Sequence, residues 1–389
     1  MRKHSFLLLV IFLLSFEIAY GENVQRVLTM EDGISTAMMN SQDLLYIKEQ
    51  VLYSKYTVDE AKCQIYPKID LNVSASRFDN AIPCVLPPSF SSIYLPQGNI
   101  DTYYSTRFSL WQYLYAGGRY TTNLRLAETK YSEMQSQFEA MANQVELQVK
   151  KAFYECLLVK EKIRIYEKAI TEGEKEKITG LARLKSELIK AKHNYEKLLL
   201  KFISTVGIEL DTVIEIKGEL NPPKEDYDLE KCLAWAYQYR PELKQTQFRE
   251  TMDGLRVNLS IIERYPTITL GANYDLFGEK VSLDQRSWNA TINMNIPLFD
   301  GWVSSTQYRQ RKNQARQGQL KRAQIEDQIR FEVRDAYLDY AFWKARLNDL
   351  YKKAQAENIE EALSRLDTIY ESLLSQANLE WSIGKSLKQ

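Results

Sequence analysis

The stretch PLFDGW, Pro297 to Trp302, joins an apolar and aromatic segment to a tight turn, and a long charged segment follows it. A near-copy, YLYAGGR, occupies Tyr113 to Arg119. Glycine permits the unusual backbone dihedral angles that a sharp strand-to-helix turn needs. Both stretches therefore predict the same event, in which a strand ends and a long helix begins. The turn residues predicted at these two junctions are Gly117, Gly118 and Gly301.

The chain is internally duplicated, and two constant spacings relate its halves. A spacing of 184 residues takes Gly117 to Gly301 and also relates VKKAFYECLLVK to VRDAYLDYAFWK. A spacing of 199 residues takes Tyr66-Pro67 to Tyr265-Pro266. The spacing changes once because the first copy has a longer loop within residues 77–101. An internal repeat of this kind indicates that the fold contains the same structural unit twice. It predicts four parts: a signal peptide (1–21), a first repeat (22–220), a linker (221–228) and a second repeat (229–389).

The pattern of each repeat predicts a helix, two strands, a long helix and a final helix, in that order. The first helix is predicted to begin after Thr29, a residue type that caps helix N-termini. It ends before Pro67, and its copy ends before Pro266, because a residue that precedes proline avoids the helical region. The long helix of the first repeat is predicted to run from Arg119 to about residue 170, and the chain to reverse at 171–174.

The returning strand of the second repeat alternates strictly. Its residues from Trp288 to Ile296 are apolar at every second position, and the intervening positions hold asparagine and threonine. This length and period are expected of a strand in a transmembrane barrel. A sandwich strand, whose apolar face meets a second sheet, is the alternative. The barrel is favoured because only long helices flank each hairpin.

The N-terminus, MRKHSFLLLVIFLLSFEIAYGEN, has basic residues, a short apolar run and a small-x-small cleavage pattern. These features predict a secretory signal peptide, and an uncleaved anchor is the alternative. Lys+Arg and Asp+Glu are 51 each, so no overall charge attracts nucleic acid. The sequence shows no catalytic motif and indicates neither an enzyme nor a cofactor. Of the two histidines, only His193 lies beyond the signal peptide, which excludes a histidine-rich metal site.

Four strands per chain cannot close a barrel, and an open sheet edge in lipid leaves backbone groups unpaired. The chain is therefore expected to oligomerise, and three copies would supply twelve strands, which is enough for a barrel with a channel.

The order of these segments resembles the TolC-type outer-membrane efflux proteins. The resemblance rests on LTMEDGISTAM, on the helix-Tyr-Pro-strand junctions at Pro67 and Pro266, on LYAGG and LFDGW, and on VKKAFYECL and VRDAYLDYA. It implies a mainly α fold with a β-barrel. In that fold, a homotrimeric twelve-stranded outer-membrane barrel continues into a periplasmic α-helical tunnel. It also implies passive export of small molecules or proteins, with a periplasmic adaptor and an inner-membrane transporter as partners.

Two groups of side chains are candidate functional positions. Carboxylates at the helical turns would form rings in a trimer and favour cations, although an ordinary solvated turn is the preferred interpretation. Aromatic residues near strand ends are candidates for an interface belt. The acidic positions are Glu172, Glu174, Glu176, Glu357, Glu360 and Glu361, and the aromatic ones are Trp111, Tyr113, Trp288 and Trp302.

Overall fold

The structure is a computed structural model that describes residues 26–77, 102–176, 181–223, 225–281, 284–352 and 358–385. The predicted signal peptide and most of the predicted long loop lie outside these ranges. The strands are β1 (Arg26–Leu28), β2 (Lys68–Arg77), β3 (Thr102–Tyr115), β4 (Ile214–Ile216), β5 (Thr267–Gly278) and β6 (Gln285–Asn295). The helices are α1 (Met30–Asn40), α2 (Gln42–Cys63), α3 (Arg119–Glu176), α4 (Leu181–Val206), α5 (Leu229–Tyr239), α6 (Pro241–Ile262), α7 (Val303–Lys352) and α8 (Ile359–Ser382).

The predicted start of the first helix is confirmed. The Thr29 hydroxyl accepts a hydrogen bond from the Asp32 backbone N–H, and the Asp32 carboxylate accepts one from the Thr29 N–H, each at 3.2 Å. This reciprocal pair satisfies two backbone donors that the first turn would otherwise leave unpaired. In the second repeat, the Asp228 carboxylate caps α5 by accepting from the Lys231 N–H.

Two details of the predicted helices are wrong. The first helix of each repeat is broken, at Ser41 and at Arg240, where the backbone leaves the helical region. Arg240 precedes Pro241, and that proline is the sequence signal that marks the break. The long helix also continues through 171–174 to Glu176, so the chain does not reverse there. Gly173 lies inside the helix, where an added Cβ would stand 3.2 Å from Leu181 of α4.

The chain divides into two compact units, each built from separate stretches of sequence. The first unit comprises the described residues within Met1–Tyr46, Phe138–Arg240 and Gln328–Gln389. Its core lies among α1, α3 and α4, and the rings of Phe153 and Phe202 pack there with centroids 5.9 Å apart. Strands β1 and β4, which the sequence analysis did not predict, pair in parallel beside this core.

The second unit comprises the described residues within Ile47–Gln137 and Pro241–Asp327. It contains one antiparallel sheet with the strand order β2-β3-β5-β6, so the hairpin of each repeat is joined to the other through β3 and β5. A small apolar cluster of Val58, Ala61 and Ala127 joins α2 to the N-terminal part of α3. Strands β2 and β6 are the two edges of the sheet.

None of the helices that the structure describes combines the length and the apolar character that a membrane span requires.

Candidate functional site

Both strand-to-helix junctions use left-handed backbone conformations. Gly117 and Gly118 have φ of 61° and 85°, and α3 begins at the next residue. At the second junction Gly301 has φ of 67°, but the position equivalent to Gly118 holds Trp302, whose φ is 69°. The Asp300 carboxylate accepts the Ser304 backbone N–H at 2.8 Å and so caps the start of α7. The predicted turn glycines therefore occupy the left-handed conformation that favours glycine.

Alanine at Gly117 is expected to destabilise the protein more than alanine at Gly301. Both substitutions place a Cβ on a left-handed residue, which costs roughly 1–2 kcal/mol. At Gly117 the new Cβ would also stand 2.8 Å from the Cβ of Tyr265, whereas nothing lies within 4 Å at Gly301. Relieving that overlap costs about another 1–3 kcal/mol. Urea unfolding of the two variants checks this, and equal losses would show that Tyr265 moves aside freely.

The two prolines stand where the sequence analysis predicted them. Pro67 directly precedes β2, and Pro266 directly precedes β5. Each lies four residues after the last residue of the preceding helix, Cys63 or Ile262. They separate helix from strand at the end of the sheet where the junction glycines also lie.

One face of the four-stranded sheet is apolar and exposed. Leu71, Phe108, Tyr274 and Trp288 form a row of directly opposed residues across all four strands. Their side chains are between 40% and 73% exposed, so nothing in the described part of the chain covers them. A soluble monomer rarely exposes a contiguous apolar patch of this kind, and such a patch marks a surface that meets lipid or another protein.

The opposite face of the sheet is polar. The next row holds Asp70, Ser109, Asn273 and Asn289, and the amide Nδ2 of Asn273 donates to Oδ1 of Asn289 at 2.9 Å. Beside it, the guanidinium of Arg107 on β3 forms an ion pair with the carboxylate of Asp275 on β5. The sheet therefore presents hydrogen-bonding groups to one side and hydrocarbon to the other.

The candidate belt aromatics divide between these two faces. Trp288 belongs to the apolar row, whereas Trp111 pairs with Gly271 and lies on the polar face. The rings of Trp111 and Tyr113 contact each other with centroids 4.2 Å apart. At the second junction Trp302 packs edge-on against Phe299 at 6.1 Å. Of the four, Trp288 is the one that lies on the apolar face of the sheet.

Lysines lie close to the described carboxylates at the end of α3. Glu174 forms an ion pair of 2.7 Å with Lys185 of α4, and Glu172 lies 3.9 Å from Lys168. Glu360 and Glu361 occupy the first turn of α8, where the helix dipole favours acidic residues. These environments support the solvated-turn interpretation. The other two candidate carboxylates are Glu176 and Glu357. The Glu176 side chain and the whole of Glu357 lie outside the described residues.

The other reactive side chains that the structure describes do not assemble into a site. Cys63 is exposed, Cys156 and Cys232 are buried, and burial raises the pKa of these two thiols to about 12 and about 11. His193 is exposed on α4. Within the described ranges, no group of three His, Cys, Asp or Glu side chains is placed to hold a metal ion.

A buried charge cluster in the first unit was not predicted from the sequence. Nζ of Lys150 on α3 lies 3.0 Å from Glu146 and 3.2 Å from Glu380 of α8, and Tyr227 donates to the same Glu380 at 3.2 Å. Burial alone would lower the pKa of Lys150, but the two carboxylates raise it overall. The one signal in the sequence is the 3.6-residue period of the helix, which places Lys150 on the same side of α3 as apolar residues and so indicates that it is buried.

Solved structures of bacterial membrane proteins, among them outer-membrane channels, share this fold. A membrane protein from Pseudomonas aeruginosa superposes with a TM-score of 0.76 at 12% identity, covering 91% of this chain and 90% of that one. The open state of the MtrE outer membrane channel of Neisseria gonorrhoeae gives 0.74 at 12% identity, with 91% and 88% covered. The CmeC outer membrane channel of Campylobacter jejuni gives 0.69 at 13% identity, with 92% and 85% covered.

No family model and no curated protein sequence matches the chain. The sequence identities to these proteins are 12–13%, so the comparison shows a shared fold alone. The chain shares the fold of these channels, and the resemblance read from the sequence motifs is confirmed as far as the fold.

Proposed function

We propose that the protein is the outer-membrane duct of an export system. Three copies would close a twelve-stranded barrel in the outer membrane of a Gram-negative-type cell, with a large helical part in the periplasm. An inner-membrane transporter and a periplasmic adaptor would drive small molecules or proteins through it, and the duct itself would work passively. The single observation that carries this proposal is the four-stranded sheet, which is apolar and exposed on one face and polar on the other.

The edges of that sheet support an oligomer. Strands β2 and β6 each leave one side without a partner among the described residues. Unpaired backbone groups cost several kcal/mol each in lipid, so a membrane sheet must be closed. Four strands per copy and three copies satisfy this requirement with a number typical of barrels that hold a channel.

A non-conducting periplasm-spanning protein or adhesin is the alternative function. The polar face of the sheet favours the duct, because amide and hydroxyl groups such as those of Asn289 and Thr291 suit a water-filled lumen. No arrangement of the described side chains supports an enzyme.

Substitution of two neighbouring residues by lysine tests the duct. Thr291 lies on the polar face of β6 and Ile292 on the apolar face. Thr291→Lys is expected to leave assembly intact and to shift the channel toward anions, because it adds positive charge to the lumen. Ile292→Lys is expected to impair insertion, since a lysine facing lipid costs about 2–4 kcal/mol near the bilayer midplane.

The measurement is single-channel conductance and reversal potential in planar bilayers, made beside the mass of the purified protein in detergent. Discrete channels from a trimer, with Thr291→Lys less cation-selective than the native protein, would support the duct. A trimer without conductance at any voltage, even after addition of the cognate adaptor and transporter, would favour the alternative. A monomer would contradict the architecture.

A further inference from the structure

The charged residues of the four-stranded sheet are divided unequally between its two faces. Strand residues alternate between faces, so the row that contains Trp288 identifies the apolar side of every strand. Arg77 of β2 and Arg286 of β6 fall on that side. The other charged residues of the four strands lie on the polar face, and they are Lys68, Asp70, Arg107 and Asp275. The apolar face of these strands therefore carries positive charge and no carboxylate.

Arg286 is available to an anion from outside the chain. It is exposed, and it forms no ion pair with any carboxylate in the part of the chain that the structure describes. The acidic residue nearest to it in sequence, Asp284, lies just outside β6, and the two side chains are not paired. A guanidinium group presents its N–H donors in a planar fork that matches the oxygens of a phosphate group.

A groove of about 320 Å³ lies on the same apolar face, beside Trp288. Its floor holds Ala272 and Ala290, which pair directly across β5 and β6. Phe108 and Tyr274 belong with Trp288 to the next row of the sheet and border the groove. The surface of the groove is almost entirely apolar. The two small alanine side chains leave space that the larger aromatic neighbours enclose, and this space suits a hydrocarbon chain.

The cation and the groove lie in line along one strand. Arg286, Trp288 and Ala290 occupy successive positions on the apolar face of β6. The backbone positions of Arg286 and Ala290 are therefore about 13 Å apart. A lipid has its parts in the same order, with a polar headgroup followed by hydrocarbon. Tryptophan, which stands between the two here, is enriched where the headgroups of a membrane meet its hydrocarbon.

The length of the apolar face places Arg286 near the edge of a membrane. The segment from Met294 to Arg286 spans about 26 Å of strand, or roughly 20 Å along the membrane normal at the tilt usual for barrels. The apolar band of an outer-membrane barrel is about 25 Å tall. Arg286 lies at the hairpin end of the sheet, opposite the end where α3 and α7 begin. In the duct proposed above, this end meets the outer leaflet.

We infer that Arg286 and the groove bind a lipid of the outer leaflet that carries an exposed phosphate group. The guanidinium of Arg286 donates paired hydrogen bonds to the phosphate oxygens. One acyl chain passes Trp288 and lies in the groove over Ala272 and Ala290. Charge complementarity selects this occupant, because a neutral lipid would leave the arginine without an anion. The inference rests on the membrane-embedded sheet of the proposed function and adds the class of lipid that the sheet recognises.

Two lipids with identical acyl chains test the inference. The purified protein in detergent is titrated with phosphatidic acid or with the diacylglycerol that lacks its phosphate, and bound lipid is counted by native mass spectrometry. Phosphatidic acid is expected to bind at least about tenfold more tightly, because charge-assisted hydrogen bonds are the strong ones. Equal binding of the two lipids would overturn the inference, and so would binding of neither because another copy of the chain covers the groove.

Two variants separate the headgroup from the acyl chain. Arg286→Gln is expected to abolish the preference for phosphatidic acid. Ala290→Phe fills the groove and keeps the arginine, so it is expected to weaken the binding of both lipids about tenfold, the equivalent of about two buried CH₂ groups. Added salt should weaken the binding that depends on Arg286, because salt screens exposed charges. Complete displacement of the lipid by inorganic phosphate would contradict a lipid site, since phosphate alone cannot fill the groove.

Arg309 supplies the matched control for the change of charge. It is exposed on α7, beyond the end of the sheet, and Arg309→Gln removes the same positive charge as Arg286→Gln. Binding of phosphatidic acid to Arg309→Gln is expected to equal that of the native protein. An equal loss in the two variants would mean that the overall charge attracts the lipid, and it would overturn the site.

Conductance of the same preparations separates this inference from the proposed function. Arg286→Gln is expected to keep the trimer mass and the conductance of the native protein, because the residue lies on the face turned away from the lumen. Conducting channels that bind the two lipids equally would overturn the lipid site and leave the duct standing. Phosphate-dependent lipid binding by a protein that never conducts would keep the lipid site and count against the duct.

Discussion

Replacing Lys150 with methionine is expected to lower the free energy of unfolding by about 3–5 kcal/mol, because the change breaks a buried charge pair by removing one partner. Methionine keeps most of the aliphatic volume of the lysine stem but has no charge. Glu146 and Glu380 would then share a buried site without the ammonium group that lies 3.0 and 3.2 Å from them. Their desolvation would no longer be offset.

The raised pKa of Lys150 fixes the pH range of this effect. A lysine with a raised folded-state pKa contributes its full stability below the ordinary value of about 10.4 and loses it only as the pH rises past the raised value. The difference between the native protein and Lys150→Met is therefore expected to stay constant from pH 7 to pH ~10.

An exposed pair on the same helix is the matched control. Lys168 and Glu172 are separated by 3.9 Å, and both side chains are largely exposed. Lys168→Met should cost no more than about 0.5 kcal/mol, because water screens surface ion pairs. The measurement is urea unfolding in detergent, followed by circular dichroism. Equal, small losses for the two variants would show that water reaches the Lys150 cluster.

Replacing Phe202 with alanine is expected to lower the free energy of unfolding by about 3–5 kcal/mol, the range for removing a large aromatic side chain from a core. The Phe202 ring is fully buried and packs against Phe153 on one side. On another side it fills the space left by Gly33, where a Cβ would stand 3.1 Å from the tip of the ring. Three separate segments of the chain therefore lose contacts at once.

Two further variants serve as controls for the Phe202→Ala result. Phe202→Leu keeps most of the apolar volume and should cost less than about 1.5 kcal/mol. Tyr53→Ala removes a large ring that is 75% exposed on α2 and should stay within about 0.5 kcal/mol of the native protein. A small loss for Phe202→Ala under the same urea titration would mean that the core around Gly33 collapses into the space.

The candidate site was predictable from the sequence to the extent that it depends on local pattern. The alternation from Trp288 to Ile296 indicated a two-faced strand, and the structure places the residues from Trp288 to Asn295 alternately on the two faces of β6. The turn glycines and the two prolines were also found, since they act on their own backbone. Trp111 and Tyr113 show the limit, because their aromatic character did not reveal that they lie on the polar face.

The run LLLKFISTV, from Leu198 to Val206, shows why the buried residues were harder to predict from the sequence than the local pattern. It is apolar at most positions, so its sequence does not say which side faces the core. In the structure Leu198 and Phe202 are buried and Leu200 is exposed. Successive helix residues point about 100° apart, and only the position of α3 beside this helix selects the buried side.

The sequence by itself determined the duplication, the order of elements, the strand period and the points where strand and helix meet, because each of these depends on residues close together in the chain. The tertiary structure alone decided the pairing of β3 with β5, the parallel contact of β1 with β4, the break at Ser41, and the burial of Lys150. These features depend on which distant segments lie side by side, and residue type and spacing do not encode that directly.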